Sequence, residues 1–371
     1  MRARRGGLRR NDFHDAGLDA WIGRVDGLET SPLPARLARW ECRNNRLAWL
    51  ALQQDGMLEA IAGLRERHGA DRVALVMGTS TASIGETEAA YATLQPDAQG
   101  ALQFAEDMRR PIVHTPHSLG DFVQHALGLS GLSVTLATAC SSSAKVFAQA
   151  ERLIRTGIAD AAVVGGVDTL CGSVLFGFNS LELVSPEPCR PFDVERRGIN
   201  LGEAAGFALL ERAGPASTWL LGYGESSDAH HMSTPHPEGR GARLALQAAL
   251  DRAQLTPADI DYINLHGTAS QKNDEVEAQL VAELFPARTF ASSTKGWTGH
   301  ALGAAGIVEA AISLLAIEHG LLPGTLNSQT LDPVCGPQIR RDNEERATRT
   351  ALSFSFGFGG SNCVLAFGRA A

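Results

Sequence analysis

The sequence lacks the paired cysteines of a zinc site or a redox motif. It contains no C-x-x-C pair, and its cysteines are far apart in the chain: Cys42, Cys140, Cys171, Cys189, Cys335 and Cys363. This spacing is typical of reduced thiols rather than of a disulfide framework or a structural metal site. We therefore expect a protein of a reducing compartment, the cytoplasm, with no bound metal.

Long apolar runs and an excess of positive charge are also missing. Glycine and polar residues interrupt each apolar stretch, so the sequence predicts no membrane span. In a secretory signal an apolar segment follows the basic start, and no such segment follows the basic opening residues 1–10 here. The 33 Lys and Arg are outnumbered by 41 Asp and Glu, which gives a formal net charge of −8 and no reason to expect a nucleic-acid partner.

What the chain does have is enough apolar material for one large core or two fused half-domains, with 371 residues of which 44% are hydrophobic. Buried strands alternate with helical patterns, which predicts an α/β fold with parallel sheets. The strands are predicted at 73–77, 132–138, 161–166, 207–210, 219–224, 260–265, 350–354 and 363–367. The helices are predicted at 36–66 with a break at Gly56, at 118–127, after Cys140, and at 239–253, 273–285 and 301–318. Pro215 marks a midpoint, so we expect two similar halves, residues 1–214 and 215–371.

Cys140 stands where a predicted strand gives way to a helix. The free N–H groups and positive dipole end of a first helical turn favour an anion, so a thiol there is expected to ionise more readily and to act as a nucleophile. The same N–H groups could hold an oxyanion on an attached acyl group. The alternative is a buried thiol with a packing role only.

Three further stretches place a reactive side chain among small residues just after a strand. They begin at His266, Lys295 and Phe356, and the second contains His300. One cysteine and two histidines suit acyl transfer, in which a thiolate takes the acyl group and the imidazoles stabilise developing charge. For each histidine the alternative is a structural role, for Lys295 a surface position, and for Glu309 a solvated one.

Six motifs carry a resemblance to a known family, and together they are highly specific. They are T-A-C-S-S-S at 138–143, R-P-F-D at 190–193, G-E-A-A-G at 202–206, N-L-H-G-T-A-S-Q-K-N-D at 264–274, S-T-K-G-W-T-G-H-A-L-G-A-A-G at 293–306, and S-F-G-F-G-G-S-N at 355–362. In this order they resemble the elongating β-ketoacyl-ACP synthases, condensing enzymes of the thiolase fold. The resemblance implies a layered α-β-α-β-α structure and a dimer.

The same resemblance implies a role for each site residue. Cys140 would be the nucleophile, and His266 and His300 the catalytic histidines, supported by Lys295 and Glu309. Phe358 would supply, with Cys140, the N–H groups of the oxyanion hole and would also gate the acyl tunnel. Thr268 and Ser270 would contact phosphopantetheine, with Ser270 in place of the more usual threonine. Arg36 and Arg39 fall where the family places basic residues that dock the acidic acyl carrier protein.

The activity so implied is decarboxylative condensation of an acyl group on Cys140 with malonyl-ACP, with no cofactor bound by the enzyme itself. Two histidines favour this reaction over a starter synthase, which would pair His with Asn, or a CoA-dependent thiolase, which would pair His with a second Cys. The intact Cys140 argues against a non-catalytic chain-length-factor-like subunit. These alternatives stay open, as does the choice between a homodimer and a heterodimer with such a subunit.

Two details refine the resemblance. The run G-F-N-S-L-E-L-V-S-P at 177–186 is similar to synthases of bacterial aryl polyene and related type II polyketide clusters. The opening residues are similar to the family region that follows its first strand and helix, and no strand is predicted before residue 11. We therefore expect an amino terminus shortened relative to the family and an incomplete first sheet.

Overall fold

The computed structural model describes residues 1–13, 17–104, 112–212 and 216–369. Its helices are α1 (Arg43–Leu52), α2 (Met57–His68), α3 (Ile84–Ala92), α4 (Ser118–Leu127), α5 (Ser142–Arg155), α6 (Gly172–Ser180), α7 (Arg240–Ala253), α8 (Gln271–Leu284), α9 (Lys295–Thr298) and α10 (Ala305–His319). Its strands are β1 (Leu8–Arg10), β2 (Trp21–Gly23), β3 (Val73–Gly78), β4 (Gln95–Pro96), β5 (Leu102–Gln103), β6 (Ser133–Leu136), β7 (Ala161–Asp168), β8 (Leu201–Gly202), β9 (Ala204–Glu211), β10 (Thr218–Ser227), β11 (Tyr262–Leu265), β12 (Phe290–Ser293), β13 (Leu321–Leu322), β14 (Glu344–Glu345), β15 (Thr350–Gly357) and β16 (Ser361–Arg369).

Two mixed sheets form the framework. The first has the order β6-β3-β7-β9, and the second β12-β11-β15-β16-β10. In each, the first three strands are parallel and the next strand is antiparallel to its neighbour, as the pairs Val76↔Val164 and Val164↔Ala208 show for the first sheet. Four strands of each sheet thus occupy equivalent positions and occur in the same order along the chain. The equivalent sets are β6-β3-β7-β9 and β12-β11-β15-β16. Among the described residues, β9 has no partner equivalent to β10, so the first sheet is one strand shorter.

Helices cover both sheets and fill the space between them. The apolar sides of α5 and α10 pack between the two sheets, where Phe147, Leu153 and Ile307 are buried. On the outer face of the first sheet lie α1, α2 and α4, and on that of the second lie α7 and α8. The predicted α-β-α-β-α thiolase-like layering is confirmed.

The segment before α3 departs from the sequence prediction. Residues 36–66 form not one helical run but a 3-10 turn, Ala35–Trp40, followed by α1 and α2; the expected break lies at Gly56, whose φ is 71°. The prediction of no strand before residue 11 is wrong. Three-residue β1 pairs antiparallel with β2, which runs parallel to β8. A strand of three residues is too short to show a periodic pattern. The predicted boundary at 214/215 lies outside the described residues.

One segment of the described chain is long and apolar enough to cross a membrane by length and composition alone. It is Leu302–His319, with a mean hydropathy of 1.5, so the expectation that polar residues interrupt every such stretch does not hold here. In the structure it comprises α10 and the turn before it, and 67% of it is buried. Its apolar character follows from its place between the two sheets.

Candidate active site

The reactive residues meet because their strands end at the same place. Cys140 follows β6, His266 follows β11, and Phe358 follows β15, while β12 leads through α9 to His300. Carboxyl ends of parallel strands in facing sheets therefore bring Cys140 together with residues that are more than a hundred positions away in the chain. The Cys140 sulfur and one ring nitrogen of each histidine all lie within 4.8 Å of one another.

Cys140 is buried at the start of α5, just after Ala139, whose φ of 51° turns the chain sharply. Gly357 allows close approach here, since a Cβ at that position would lie 3.1 Å from the Cys140 nitrogen. Burial raises the pKa of the Cys140 thiol to about 11, opposed by the charge of Lys295 and by the N–H of Phe358. The expectation of an easily ionised thiol is therefore not met, because desolvation outweighs the charge of Lys295 and the Phe358 N–H. A neutral thiol needs a base beside it.

His300 is placed beside the thiol where such a base is needed. Its Nε2 lies 3.0 Å from the Cys140 Sγ. Burial first, and then the nearby charge of Lys295, hold the pKa of His300 well below its usual value, so the imidazole is neutral and able to accept a proton. The backbone of His300 is fixed by hydrogen bonds to the Asn200 carbonyl and from the Gly202 N–H.

His266 faces His300 edge to face, with ring centroids 5.3 Å apart. Its Nδ1 lies 3.3 Å from the Lys295 ammonium, which can only donate, so the ring proton is assigned to Nε2. The pKa of His266 is lowered by burial, by Lys295 and by His300. The result is a neutral imidazole that presents an N–H toward the centre of the site.

Lys295 and Glu309 form an ion pair buried beneath His266. Lys295 also donates to the His266 carbonyl oxygen at 2.6 Å. Burial raises the pKa of Glu309 to about 7, although the ammonium of Lys295 opposes that shift. The sequence alternatives of a surface Lys295 and a solvated Glu309 do not apply, since both side chains are buried.

A narrow cleft leads to these groups. Its lining includes Cys140, both histidines and Phe358, and Thr268 and Ser270 stand along it with their hydroxyl oxygens 2.9 Å apart. The Phe358 ring stacks on that of Phe178, with centroids 5.3 Å apart. Gly359 and Gly360 follow with φ of 76° and 73°, a conformation that favours glycine.

Two buried acidic side chains near His266 were not singled out from the sequence. Glu277 accepts hydrogen bonds from the N–H groups of His266 and Gly267, and Asp274 accepts one from Ala269. Both acids lie on α8, one turn apart. Their i, i+3 spacing directly after the His266 loop is the signal that could have found them.

We expect Glu277→Gln to gain stability relative to the wild type as the pH rises. Burial raises the pKa of Glu277 from 4.5 to about 8. The folded protein therefore keeps this proton where the unfolded chain has lost it, and the free energy of unfolding falls as pH rises through that window. Denaturant unfolding at pH 5 and pH 8 should show the difference between variant and wild type shifting by on the order of 2–4 kcal/mol in favour of the variant. A pH-independent difference would contradict this assignment.

Arg36 and Arg39 lie apart from the cleft lining, on the exposed side of the 3-10 turn that precedes α1. The Arg36 guanidinium stacks over Trp49 and that of Arg39 over Trp40. Among the described residues, neither arginine forms an ion pair with a carboxylate. Their charges are thus held at the surface and are accessible to an acidic partner.

Two family models match consecutive parts of the chain. The N-terminal domain of β-ketoacyl synthase matches residues 42–216, and the C-terminal domain matches residues 218–329. Nodulation protein E of Rhizobium meliloti (strain 1021) is 34% identical over an alignment covering 82% of this chain and 78% of that protein. The chain belongs to the β-ketoacyl synthase family. The family predicted from the six motifs is therefore confirmed.

Other relatives of this β-ketoacyl synthase include 3-oxoacyl-[acyl-carrier-protein] synthases. The mitochondrial enzyme of Arabidopsis thaliana is 39% identical over 65% of this chain and 57% of its own length. Synthase 2 of Rhizobium meliloti (strain 1021) is 41% identical over 64% and 61%, respectively. In both cases the chain spans less than two thirds of the length of the relative.

Solved structures match over nearly the whole chain. The ketosynthase (ApeO) in complex with its chain length factor (ApeC) from Xenorhabdus doucetiae gives a TM-score of 0.88 and 38% identity, covering 98% of this chain and 90% of the other. The ishigamide ketosynthase/chain length factor gives 0.85 and 27%, covering 100% and 93%.

Proposed function

We propose that this β-ketoacyl synthase is a 3-oxoacyl-ACP synthase, which condenses an acyl group on Cys140 with malonyl-ACP. The observation that carries the proposal is the convergence of one thiol and two neutral imidazoles at the end of a single cleft. A thiol can hold an acyl group as a thioester, and two neutral N–H donors can stabilise an enolate. The substrates are carried on phosphopantetheine, and the chemistry uses only side chains and backbone of the enzyme.

In the first half-reaction, His300 Nε2 accepts the Cys140 thiol proton as the sulfur attacks the thioester carbonyl of acyl-ACP. The N–H groups of Cys140 and Phe358 hold the resulting oxyanion. When the tetrahedral intermediate collapses, the carbon–sulfur bond to phosphopantetheine breaks, and His300 gives the proton to the departing thiolate. Cys140 is left as a thioester, and both imidazoles are neutral again.

Once Cys140 is acylated, no thiol proton faces His300 Nε2, and the neutral His300 ring takes the tautomer that carries its single proton on Nε2. In the second half-reaction, His266 and His300 therefore both donate hydrogen bonds to the thioester carbonyl of malonyl-ACP. The carboxylate leaves as CO2, and its bonding electrons form the enolate. The enolate carbon attacks the acyl carbon on Cys140, and the Cys140 thiolate leaves and takes a proton from solvent. The product is 3-oxoacyl-ACP, two carbons longer than the acyl group loaded. Lys295, paired with Glu309, keeps the ring proton of His266 on Nε2.

Thr268 and Ser270 are proposed to hydrogen-bond phosphopantetheine. Removing one such bond costs about 0.5–1.5 kcal/mol. Thr268→Val and Ser270→Ala are therefore each expected to raise the KM for malonyl-ACP about two- to tenfold, with kcat little changed. Steady-state kinetics would check this, with Thr93→Val as the control, because the exposed Thr93 hydroxyl donates to carbonyl oxygens in the last turn of α3. A fall in kcat at unchanged KM would contradict a binding role.

The partner we propose is the acyl carrier protein, attracted by Arg36 and Arg39. The proposal also includes a dimer, formed with a second copy or with a chain-length-factor-like subunit. The strand β6, which is half-buried at the edge of the first sheet, offers an edge for pairing.

The proposed halves, 1–214 and 215–371, are supported by the two family models, which adjoin at 216 and 218. We infer a cytoplasmic location.

The pathway we propose is assembly of an aryl polyene or a related type II polyketide rather than bulk fatty acid synthesis. Two observations support it: the 177–186 run in the sequence and the likeness to the ApeO complex over 98% of the chain. Extension of an aromatic starter by the purified enzyme, faster than extension of a saturated chain of equal length, is the expected result. A preference for the saturated chain would favour fatty acid synthesis.

Incubation of acyl-loaded enzyme with malonyl-ACP or with malonyl-CoA tests the proposed activity. We expect 3-oxoacyl-ACP and CO2 from the carrier-bound substrate. Strict use of malonyl-CoA would favour a CoA-dependent thiolase or starter synthase. No product from either donor, in an assay that includes the cognate carrier protein, would favour a non-catalytic partner subunit.

A further inference from the structure

Asp168, the last residue of β7, is a fully buried carboxylate that the motifs did not single out. Its Oδ1 accepts hydrogen bonds from the Thr79 hydroxyl at 2.6 Å and from the N–H and hydroxyl of Thr81 at 2.8 and 2.7 Å. Its Oδ2 accepts the Ser80 hydroxyl at 2.6 Å, and the Ser80 N–H lies 2.9 Å from both oxygens. These contacts fix the loop that follows β3.

One more donor comes from the other half of the molecule. The N–H of Gly303, three residues after His300, donates to Asp168 Oδ2 at 2.6 Å. A Cβ on Gly303 would lie 2.6 Å from that oxygen, so a side chain at position 303 would push the two groups apart. Asp168 therefore ties the turn after His300 to the first sheet.

A second contact between the halves lies one turn further along. The Ile307 N–H donates to the Ser143 hydroxyl at 2.9 Å, and Ser143 lies on α5, the helix that begins behind Cys140. A Cβ on Gly306 would come within 2.4 Å of the Ala144 nitrogen. Together with Asp168, these residues form a seam that brings α5 against the turn and the start of α10.

We propose that Asp168 is the positioning residue that sets the distance between the Cys140 sulfur and the His300 imidazole. Cys140 belongs to the first sheet and His300 to the second, so their 3.0 Å approach depends on how the halves are joined. A carboxylate held by hydroxyls and backbone N–H groups makes short, charge-assisted bonds that an amide cannot reproduce. The inference rests on the proposed condensation, in which this approach serves both half-reactions.

Asp168 also acts on Cys140 through its charge. The charged groups that act on the thiol are Lys295, which lowers its pKa, and Asp168 and Glu309, which raise it. Removing the Asp168 charge should thus move the pH midpoint of Cys140 alkylation downward. A residue that only held the fold together would not move that midpoint.

Asp168→Asn and Gly303→Ala test the proposal from the two sides of the seam. We expect each to lower kcat for condensation on the order of tenfold to a hundredfold, the cost of a displaced reacting group, with the KM for malonyl-ACP unchanged. Rates are to be normalised to the folded fraction of each variant, measured by circular dichroism and size-exclusion chromatography. The alkylation midpoint should fall in Asp168→Asn and stay unchanged in Gly303→Ala, which keeps the charge.

If Asp168→Asn does not fold, the milder Ser80→Ala replaces it, because it removes only one hydroxyl donor to Asp168. A several-fold loss of kcat is expected for Ser80→Ala. Gly63→Ala is the matched control, because its Cβ would meet nothing closer than the Arg67 guanidinium at 3.4 Å.

Normalised kcat equal to the wild type in the folded seam variants would overturn the proposal. So would an unshifted or raised alkylation midpoint in Asp168→Asn. If the wild type itself formed no 3-oxoacyl-ACP, the proposed function would fail, while the alkylation midpoints would still report on Asp168.

Discussion

Cys140→Ala is expected to abolish 3-oxoacyl-ACP formation while malonyl-ACP decarboxylation remains measurable. The acyl group has no other thiol to occupy, since among the described residues Cys140 is the only cysteine that lines the cleft. In the proposed mechanism, decarboxylation needs only the hydrogen-bond donors on the malonyl thioester carbonyl, which are His266 and His300. Release of CO2 and formation of 3-oxoacyl-ACP should therefore separate in this variant.

Cys335→Ala is the matched control for this loss. Cys335 is a partly exposed free thiol outside the cleft lining, so its removal should leave condensation near the wild-type rate. Condensation that persists in Cys140→Ala would show that the acyl group is held elsewhere. Equal loss in both cysteine variants would point to a general effect of removing a thiol.

His266→Ala and His300→Ala are each expected to lower kcat for condensation by on the order of 10²–10³, the usual cost of removing one donor to a developing oxyanion. The two variants should differ in the first half-reaction. In the described part of the chain, His300 is the one residue whose side chain lies within hydrogen-bond distance of the Cys140 sulfur. Acylation of Cys140 by acyl-ACP should therefore slow in His300→Ala and stay near normal in His266→Ala. Rapid-quench measurement of the two half-reactions would resolve them.

His319→Ala serves as the histidine control, because His319 is exposed at the end of α10. Its rates should match those of the wild type. Slow acylation in His266→Ala, or normal acylation in His300→Ala, would reverse the roles assigned to the two imidazoles.

Much of this site could be predicted from the sequence because its residues lie in short motifs that follow strand patterns. Cys140, His266 and His300 were identified in this way, as was the neighbouring Lys295. Their meeting at one cleft requires only that parallel strands end at a common edge, which the alternation of strands and helices predicts. The layered fold followed from the same pattern together with the family resemblance.

What could not be predicted depends on depth of burial. The position of Cys140 at a helix start suggested a thiol with a lowered pKa, yet desolvation raises it to about 11. Only the packed structure shows how much water is excluded. In the same way, Asp168 follows the predicted strand 161–166 as an ordinary turn residue would, and only the tertiary structure shows that it meets Gly303 across the two halves.

Short elements and single long-range contacts were also not predictable from the sequence. The strand β1 has three residues and is stabilised by pairing with β2 rather than by an amphipathic pattern of its own. Stacking of Phe178 on Phe358 likewise joins residues 180 positions apart, and neither residue has a local signal for the contact. Such contacts depend on tertiary structure and produce no helical or strand periodicity in the sequence.

Intact-mass analysis of a single turnover tests the central claim most directly. After incubation with acyl-ACP, the enzyme should gain the mass of one acyl group, located on Cys140 by peptide mapping. Addition of malonyl-ACP should then remove that mass and yield one equivalent each of CO2 and of 3-oxoacyl-ACP. An enzyme that gains no acyl mass, or whose acyl group stays in place when malonyl-ACP is decarboxylated, would contradict the account.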